Sequence, residues 1–259
     1  MLERRTLQEG IAALVSKRLE ADGFIVAFTE RTGGTSRRPF ESLNLGLRTA
    51  DRPDRVVENR GLACAAIGVG PFACGEQVHG YRISRVGPKG AGAGFAQAHA
   101  ALPGADGLVT TSRNVPLAVL AADCLPIALV DPGAGRVAVV HAGWRGVAGG
   151  ILMRAVRLFA EPAALRAVIG PAIGPDHYEV KEDVALAVSA ASTGGGITRK
   201  EGGRIFLDLP GTAARILKEL GVRRIDRAEE CTACEAGRFF SHRRDGETGR
   251  QALIAMRMG

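Results

Sequence analysis

The sequence predicts an α/β fold of the α+β or layered kind, as a single domain over residues 1–259. Three observations lead there. Short β-branched runs at 127–130 and 136–140, separated by Asp131-Pro-Gly-Ala-Gly135, read as buried strands joined by a turn. Stretches with apolar residues at helical spacing lie between such runs. The strict β-α alternation of a doubly wound sheet is missing, and no internal repeat or Ser/Pro-rich linker divides the chain.

Leu7, Ile11, Leu14, Val15 and Leu19 recur at helical spacing, which predicts an amphipathic first helix ending near Asp22-Gly23. Residues 24–29 alternate like a strand. The stretch from Arg31-Thr-Gly-Gly-Thr-Ser36 to Asn44-Leu-Gly46 is rich in small polar groups and reads as loop. Residues 52–67 form a predicted helix, with Pro53 suited to its first turn and Gly68 to its end. A strand at 81–86 precedes a glycine-dense loop at 87–94. Further strands are predicted at 105–111, 116–130 and 136–141, then a helix at 147–160. A strand at 165–169 runs into Gly170-Pro-Ala-Ile-Gly174. Helices at 180–191 and 209–220 and a closing strand at 251–256 complete the reading.

Composition excludes several classes. Hydrophobic content of 46% and charge of 24% rule out disordered and collagen-like chains. No apolar run approaches the roughly 18–20 residues that cross a bilayer, and Gln8, Glu9 and Lys17 interrupt any signal-peptide core, so no membrane association and a cytoplasmic location are expected. The five cysteines, Cys64, Cys74, Cys124, Cys231 and Cys234, are an odd number and read as reduced thiols. A net charge of +7 invites a nucleic-acid reading. The basic residues are scattered among acids, however, and aromatics at 5% give little for base stacking, so no nucleic-acid partner is expected. A phosphate-bearing small substrate would use the same positive field.

The richest chemistry lies between Ala122-Asp-Cys-Leu-Pro-Ile127 and Val140-His-Ala-Gly-Trp-Arg-Gly146. Residues 117–120 lead into Asp123-Cys124, and 136–140 deliver His141. Cys124 and His141 thus fall at matching strand ends, where a scaffold presents chemistry. Glu76-Gln-Val-His-Gly80 adds His79. Two imidazoles and one thiolate are a known catalytic zinc set that leaves a fourth position open. Taken singly, each has a blander role, as a satisfied polar histidine or a small buried thiol. The His-Glu-x-x-His helix of metalloproteases is absent.

Asp123 is either a carboxylate bonded to backbone or a general base. Trp144-Arg145 either stacks a base or holds an anion, or it is a tryptophan packed under a turn with a surface arginine. Cys231-Thr-Ala-Cys234 is a single Cys-x-x-Cys, without the second pair of a zinc finger or the βαβ setting of a redox motif. Residues 87–94 lack the Gly-Lys-Ser/Thr ending of a phosphate loop and read as a mobile loop. Phe239-Phe-Ser-His-Arg-Arg-Asp245 is either a phosphate or ribose contact or a solvated basic turn.

Motifs along nearly the whole chain resemble one family. They are Arg31-Thr-Gly-Gly-Thr-Ser36, Ser42-Leu-Asn-Leu-Gly46, Glu58-Asn-Arg60, Gln77-Val-His-Gly80, Ala122-Asp-Cys-Leu-Pro-Ile127, His141-Ala-Gly-Trp-Arg-Gly146, Gly170-Pro-Ala-Ile-Gly174, Tyr178-Glu-Val180, Cys231-Thr232 and Phe240 to Arg250. In this order they resemble the multifunctional purine nucleoside phosphorylases of the YfiH type, once called laccase-domain or multicopper polyphenol oxidase proteins. The resemblance implies a layered α-β-β-α architecture with mixed sheets. It implies His79, Cys124 and His141 as zinc ligands and catalytic centre. It also implies phosphorolysis of adenosine, inosine, guanosine and methylthioadenosine, with adenosine deamination.

Purine nucleosides and phosphate are then the expected partners. Arg60, by its place in the family motif, is the first expected phosphate clamp, and Arg145 or Arg243 the second, since a planar guanidinium matches phosphate oxygens. Asn44 is expected on ribose or base. Two positions depart from the pattern: Asp176 stands where cysteine is expected, and His242 where tyrosine is commoner. The oxidase label needs about ten histidines in His-x-His pairs, given copper's imidazole preference, and the chain has five and no such pair. Copper at the same triad, giving weak oxidation, stays open as an alternative metal. Two further readings use the same residues. One is a metal-free cysteine hydrolase, with Cys124 as nucleophile, His141 or His79 as base and the backbone near Gly143 as oxyanion hole. The other is a nucleoside binder without turnover.

Overall fold

The computed structural model describes residues 2–259. The chain opens on two strands, β1 (Leu2–Thr6) and β2 (Ala12–Ser16), paired antiparallel, in place of the helix that the spacing of Leu7 to Leu19 predicts. The reason is burial: Ile11, Ala12, Ala13 and Leu14 are all inside, whereas an amphipathic helix hides only one face. A strand covered on both sides buries consecutive residues. Only Lys17–Ala21 (α1) of the expected helix is helical, ahead of β3 (Phe24–Thr29).

A long irregular segment then leads to α2 (Pro53–Ile67), β4 (Ala73–Cys74), β5 (Arg82–Arg85) and β6 (Ala105–Thr110). The predicted strand over 116–130 is two strands, β7 (Leu117–Ala121) and β8 (Leu125–Asp131), and β9 (Arg136–Ala142) follows. The predicted helix over 147–160 is likewise two, α3 (Trp144–Ala148) and α4 (Ile151–Val156). Gly150 sits between them at φ 80°, a backbone setting that interrupts the helical ladder. The remaining elements are β10 (Arg166–Ile169), β11 (Glu179–Val180), α5 (Glu182–Ser189), β12 (Ile197–Glu201), β13 (Arg204–Asp208), α6 (Leu209–Glu219), β14 (Arg224–Arg227), α7 (His242–Asp245) and β15 (Gln251–Arg257).

One six-stranded sheet runs β1-β2-β3-β15-β7-β4 and a second runs β14-β10-β8-β9-β6-β5, with a small β11-β13-β12 sheet beside them. Both large sheets mix parallel and antiparallel pairs. Strand alternation explains the layering. Phe28, Val119 and Leu253 of the first sheet meet Leu108, Val130 and Val139 of the second in one apolar cluster. Their neighbours in sequence point outward. Ala118 and Ile254 pack with Ala63 and Cys64 of α2, while Ile127, Leu129 and Val140 pack with Val147, Ile151 and Ile216 of α3, α4 and α6. The order is helix, sheet, sheet, helix, the α-β-β-α arrangement expected. Strands covered on both faces account for the uninterrupted apolar runs in the sequence.

Glu30, directly after β3, ties this frame together. Its fully buried carboxylate accepts hydrogen bonds from Arg4 at 2.8 and 2.9 Å and from Arg238 Nε at 2.8 Å, and it pairs with Arg238 Nη2 at 2.7 Å. Burial pushes the Glu30 carboxyl up, and the bonds from Arg4 and Arg238 more than offset this, holding it below the usual carboxylate range. Glu30→Gln is expected to cost about 2–3 kcal/mol, less than a fully buried pair because Arg4 is half exposed. The contribution is complete above the unfolded carboxyl value of ~4.3 and disappears as pH falls through the lower folded value. Urea unfolding from pH 7 down to pH 3 should show that acid-sensitive increment in wild type and lack it in the variant. Equal midpoints at pH 7 would refute the assignment.

Candidate active site

Cys124 lies where the chain passes from one sheet to the other. β7 belongs to the first sheet and β8 to the second, so residues 122–124 make the crossing. Asp123 adopts φ 89° in this bend, uncommon for a residue with a side chain. Both its carboxylate oxygens are engaged, one by the Thr232 hydroxyl at 2.6 Å and the other by the Arg243 backbone N–H at 2.7 Å. Asp123 is therefore the bonded carboxylate that fixes the bend. The antiparallel β8–β9 register sets Pro126 opposite His141, which brings Cys124 and His141 together.

His79 arrives on a tight turn. Gln77 and His79 take φ of 53° and 60°. Asp106 of β6 accepts the N–H groups of Val78, His79 and Gly80 at 3.1, 2.9 and 2.8 Å. The same carboxylate lies 2.9 Å from His141 Nδ1. Asp106 is fully buried, and burial pushes its carboxyl up. The bond to His141 and those to the turn outweigh this and hold it below the usual range, hence ionised. An ionised carboxylate only accepts, so Nδ1 of His141 carries the proton and Nε2 is left for the site. Gln77 pins the other side of the turn by exchanging two hydrogen bonds with the Leu120 backbone, at 2.7 and 2.8 Å.

These elements gather His79, Cys124 and His141 so that one ligand atom of each lies within 4.8 Å of the others. The two rings meet edge to face, centroids 4.9 Å apart. Zinc bonds of ~2.0–2.1 Å to nitrogen and ~2.3 Å to sulfur set tetrahedral ligand atoms roughly 3.3–3.7 Å apart, so small side-chain adjustments would seat the ion. Gly143 makes room, because a Cβ there would stand 3.1 Å from both Cys124 Sγ and the His79 ring. Electrostatics favours the thiolate. Burial opposes it, but the attraction of His141 and hydrogen bonds from both histidines bring the Cys124 thiol down to about 6. Burial likewise opposes a charged His141, and the thiolate and Asp106 lift it to about 9.

The triad borders a cavity of about 430 Å³, within the size range of small-molecule sites. Arg48, Glu76, Tyr178, Arg243 and Arg250 contribute polar groups to its wall, and Leu120, Ile173 and Leu209 apolar ones. Arg243 is held by the carbonyls of His177 and Glu179, and its guanidinium lies 5.3 Å over the Tyr178 ring. Arg250 is anchored on the carbonyls of Thr248 and Gly249. Burial and the Cys124 thiolate push the Tyr178 phenol up to about 12, so it keeps its proton.

Other expected contacts sit differently. Arg60 borders the cavity, yet its guanidinium is buried and taken up by the carbonyls of Leu45, Gly94 and Phe95. Asn44 is fully buried, its amide bonded to Thr49 and Asp51 and its oxygen to the N–H groups of Gly46 and Arg250. Both hold up the wall from behind. Arg145 is exposed, with its guanidinium 4.5 Å from its own neighbour Trp144. Asp106, Arg48 and Arg250 receive no role from the sequence reading. The one signal for Asp106 is an acid inside the apolar strand 105–110, a charge that burial obliges to find partners.

The model of the family described as multi-copper polyphenol oxidoreductase laccase matches residues 25–258. The chain is 40% identical over 249 residues to the purine nucleoside phosphorylase YlmD of Geobacillus stearothermophilus, covering 91% of each chain. It is 41% identical over 238 residues to a purine nucleoside phosphorylase of Deinococcus radiodurans, covering 88% of this chain and 87% of that one. The crystal structure of the Geobacillus YlmD superposes with a TM-score of 0.88 at 38% identity, over 92% of this chain and 93% of the other. That of a Bacillus licheniformis hypothetical protein, YfiH, gives 0.87 at 34% identity over 94% and 96%.

In metal-free protein, alkylation of Cys124 by iodoacetamide should rise with pH through a midpoint near 6, as the thiolate forms. An ordinary thiol would give ~8.5. Mass spectrometry of the labelled peptide across pH 5–9 reads the midpoint, and a value near 8.5 would remove the ion pair.

Proposed function

Because the chain belongs to the multi-copper polyphenol oxidoreductase laccase family, whose relatives here are named purine nucleoside phosphorylases, we propose that it is a zinc-dependent purine nucleoside phosphorylase. Adenosine, inosine, guanosine and methylthioadenosine are its proposed substrates, with adenosine deamination as a second activity. The observation that carries this reading is the convergence of His79, Cys124 and His141 on a cavity whose wall also holds Arg48, Arg243 and Arg250.

His79, Cys124 and His141 would hold the metal, and the donor set fits zinc: two imidazoles, a thiol already biased to thiolate, and a carboxylate behind one histidine. When bound, the ion supplies a Lewis-acidic centre with an open position. The protein's own groups do the rest. Arg243 and Arg250, each fixed by backbone carbonyls, and Arg48, paired with Glu76 at 3.0 Å, are the proposed phosphate grip. Arg243 and Arg250 use only Nη1 on those carbonyls, and they replace Arg60, which is buried and uses both Nε and Nη1 on three carbonyls. In phosphorolysis a phosphate oxygen bonds to C1′ as the C1′–N9 bond breaks, and the departing purine gains the proton that dihydrogen phosphate gives up on becoming the ester. Tyr178, protonated and on the cavity wall, is the proposed hydrogen-bond donor to ribose or base. Leu120, Ile173 and Leu209 supply an apolar surface suited to a purine face.

One observation favours a second reading. Asp106, His141 and Cys124 form an acid–histidine–thiol relay of the kind used by metal-free cysteine hydrolases. A multicopper oxidase reading finds less support. Among the described residues only two clusters could hold a metal, each with three ligands and at most two histidines.

The test is product analysis of zinc-loaded protein with adenosine and phosphate, beside Cys124→Ala and Asp106→Asn. Ribose-1-phosphate with adenine, or inosine with hypoxanthine, should form in wild type and not in Cys124→Ala. Asp106→Asn should lower kcat/KM about 10–100-fold, the usual cost of losing a carboxylate behind a metal-bound histidine. No conversion by zinc-replete wild type would sink the nucleoside reading. Turnover that survives chelation and stops on Cys124 alkylation would transfer the site to the metal-free chemistry.

A further inference from the structure

The Cys-x-x-Cys segment, a weak signal in the sequence, has a third partner in space. His177 Nδ1 lies 3.5 Å from Cys234 Sγ and 3.9 Å from Cys231 Sγ, and the three ligand atoms all fall within 4.8 Å of one another. His177 is on the turn that follows β10, Cys231 is bridged to Ala172 of the same stretch, and the Thr232 N–H donates to the Ala172 carbonyl at 3.0 Å. The Gly174 N–H donates to Cys231 Sγ at 3.1 Å. A backbone amide aimed at sulfur stabilises a thiolate and orients it. Gly174 permits this contact, since a Cβ there would lie 3.2 Å from the sulfur.

We propose that His177, Cys231 and Cys234 form a second zinc(II) site, separate from the His79–Cys124–His141 cluster. Two thiolates and one imidazole suit zinc, and three protein ligands leave one position to water. Binding releases two protons, one from each thiol, to solvent. A disulfide between the two cysteines would leave the imidazole without a task, whereas an ion uses all three groups. Asp176, next in sequence, is engaged by Arg199 at 3.1 Å.

The location gives the ion a task. Arg243 donates to the His177 carbonyl, and the Thr232 hydroxyl holds Asp123, which sits beside Cys124. Ile173, Tyr178 and Arg243 line the cavity. Zinc at this turn would clamp the 172–178 segment to the 231–234 turn and so brace that wall from outside. The proposal does not depend on the purine reading, and its test is metal content.

Full-length protein, reduced, stripped and reconstituted with zinc, is dialysed and analysed by inductively coupled plasma mass spectrometry. Wild type should retain two zinc ions per chain and Cys124→Ala one. Adding Cys231→Ser and Cys234→Ser to Cys124→Ala should leave none. With cobalt(II) in place of zinc, Cys124→Ala should still show the thiolate-to-metal charge-transfer band. His177→Ala, a milder change that guards against misfolding of the serine variants, should weaken zinc binding in the Cys124→Ala background by more than about 100-fold, given that losses behind a ligand already reach 10–100-fold. Cys124→Ala protein that keeps no zinc and shows no charge-transfer band would overturn the site. So would an ion that survives both serine substitutions.

Discussion

Asp106 is the constraint on which the site depends. A carboxylate inside a protein loses its hydration and is tolerated only with partners in place. This one has four: three backbone N–H groups of the 78–80 turn and the Nδ1–H of His141. The turn therefore cannot unwind without stranding a buried charge, and the left-handed backbone of Gln77 and His79 is held against its own preference. The same charge fixes which nitrogen of His141 faces the thiol. One side chain thus sets both the position of one imidazole and the tautomer of the other.

The layered frame supplies the rest of the geometry. Two sheets packed face to face leave few routes between them, and the chain takes one at residues 122–124. A strand end at a layer boundary is both anchored and open, anchored by β7 on one side and β8 on the other. Asp123 locks the bend through Thr232 and Arg243, so the C-terminal third of the chain also positions Cys124. The cavity wall is consequently assembled from segments far apart in sequence.

Much of this was legible in the residues. Cys124 and His141 mark strand ends by their place after apolar runs, and the family resemblance adds His79, whose turn only the structure reveals. Arg60 did not, because a motif position cannot reveal that three carbonyls wait for the guanidinium. Asp106 stayed hidden for the opposite reason: three of its four partners are backbone groups 26 to 28 residues away that carry no side-chain signature. The N-terminal hairpin escaped because Leu7 to Leu19 fit a helical period by coincidence, while two-sided burial obeys no period. His177 is 54 residues before Cys231, too far for spacing to pair them.

β15, residues 251–257, lies in the middle of the first sheet, between β3 and β7. A sheet whose central strand comes last in sequence cannot close as it is synthesised. The strands on either side must wait, with apolar faces uncovered, until nearly the whole chain is available. Arg250, at the threshold of β15, reaches the cavity only at that moment. Completion of the binding wall and completion of the fold are thus one event, and a chain cut short before β15 would present neither.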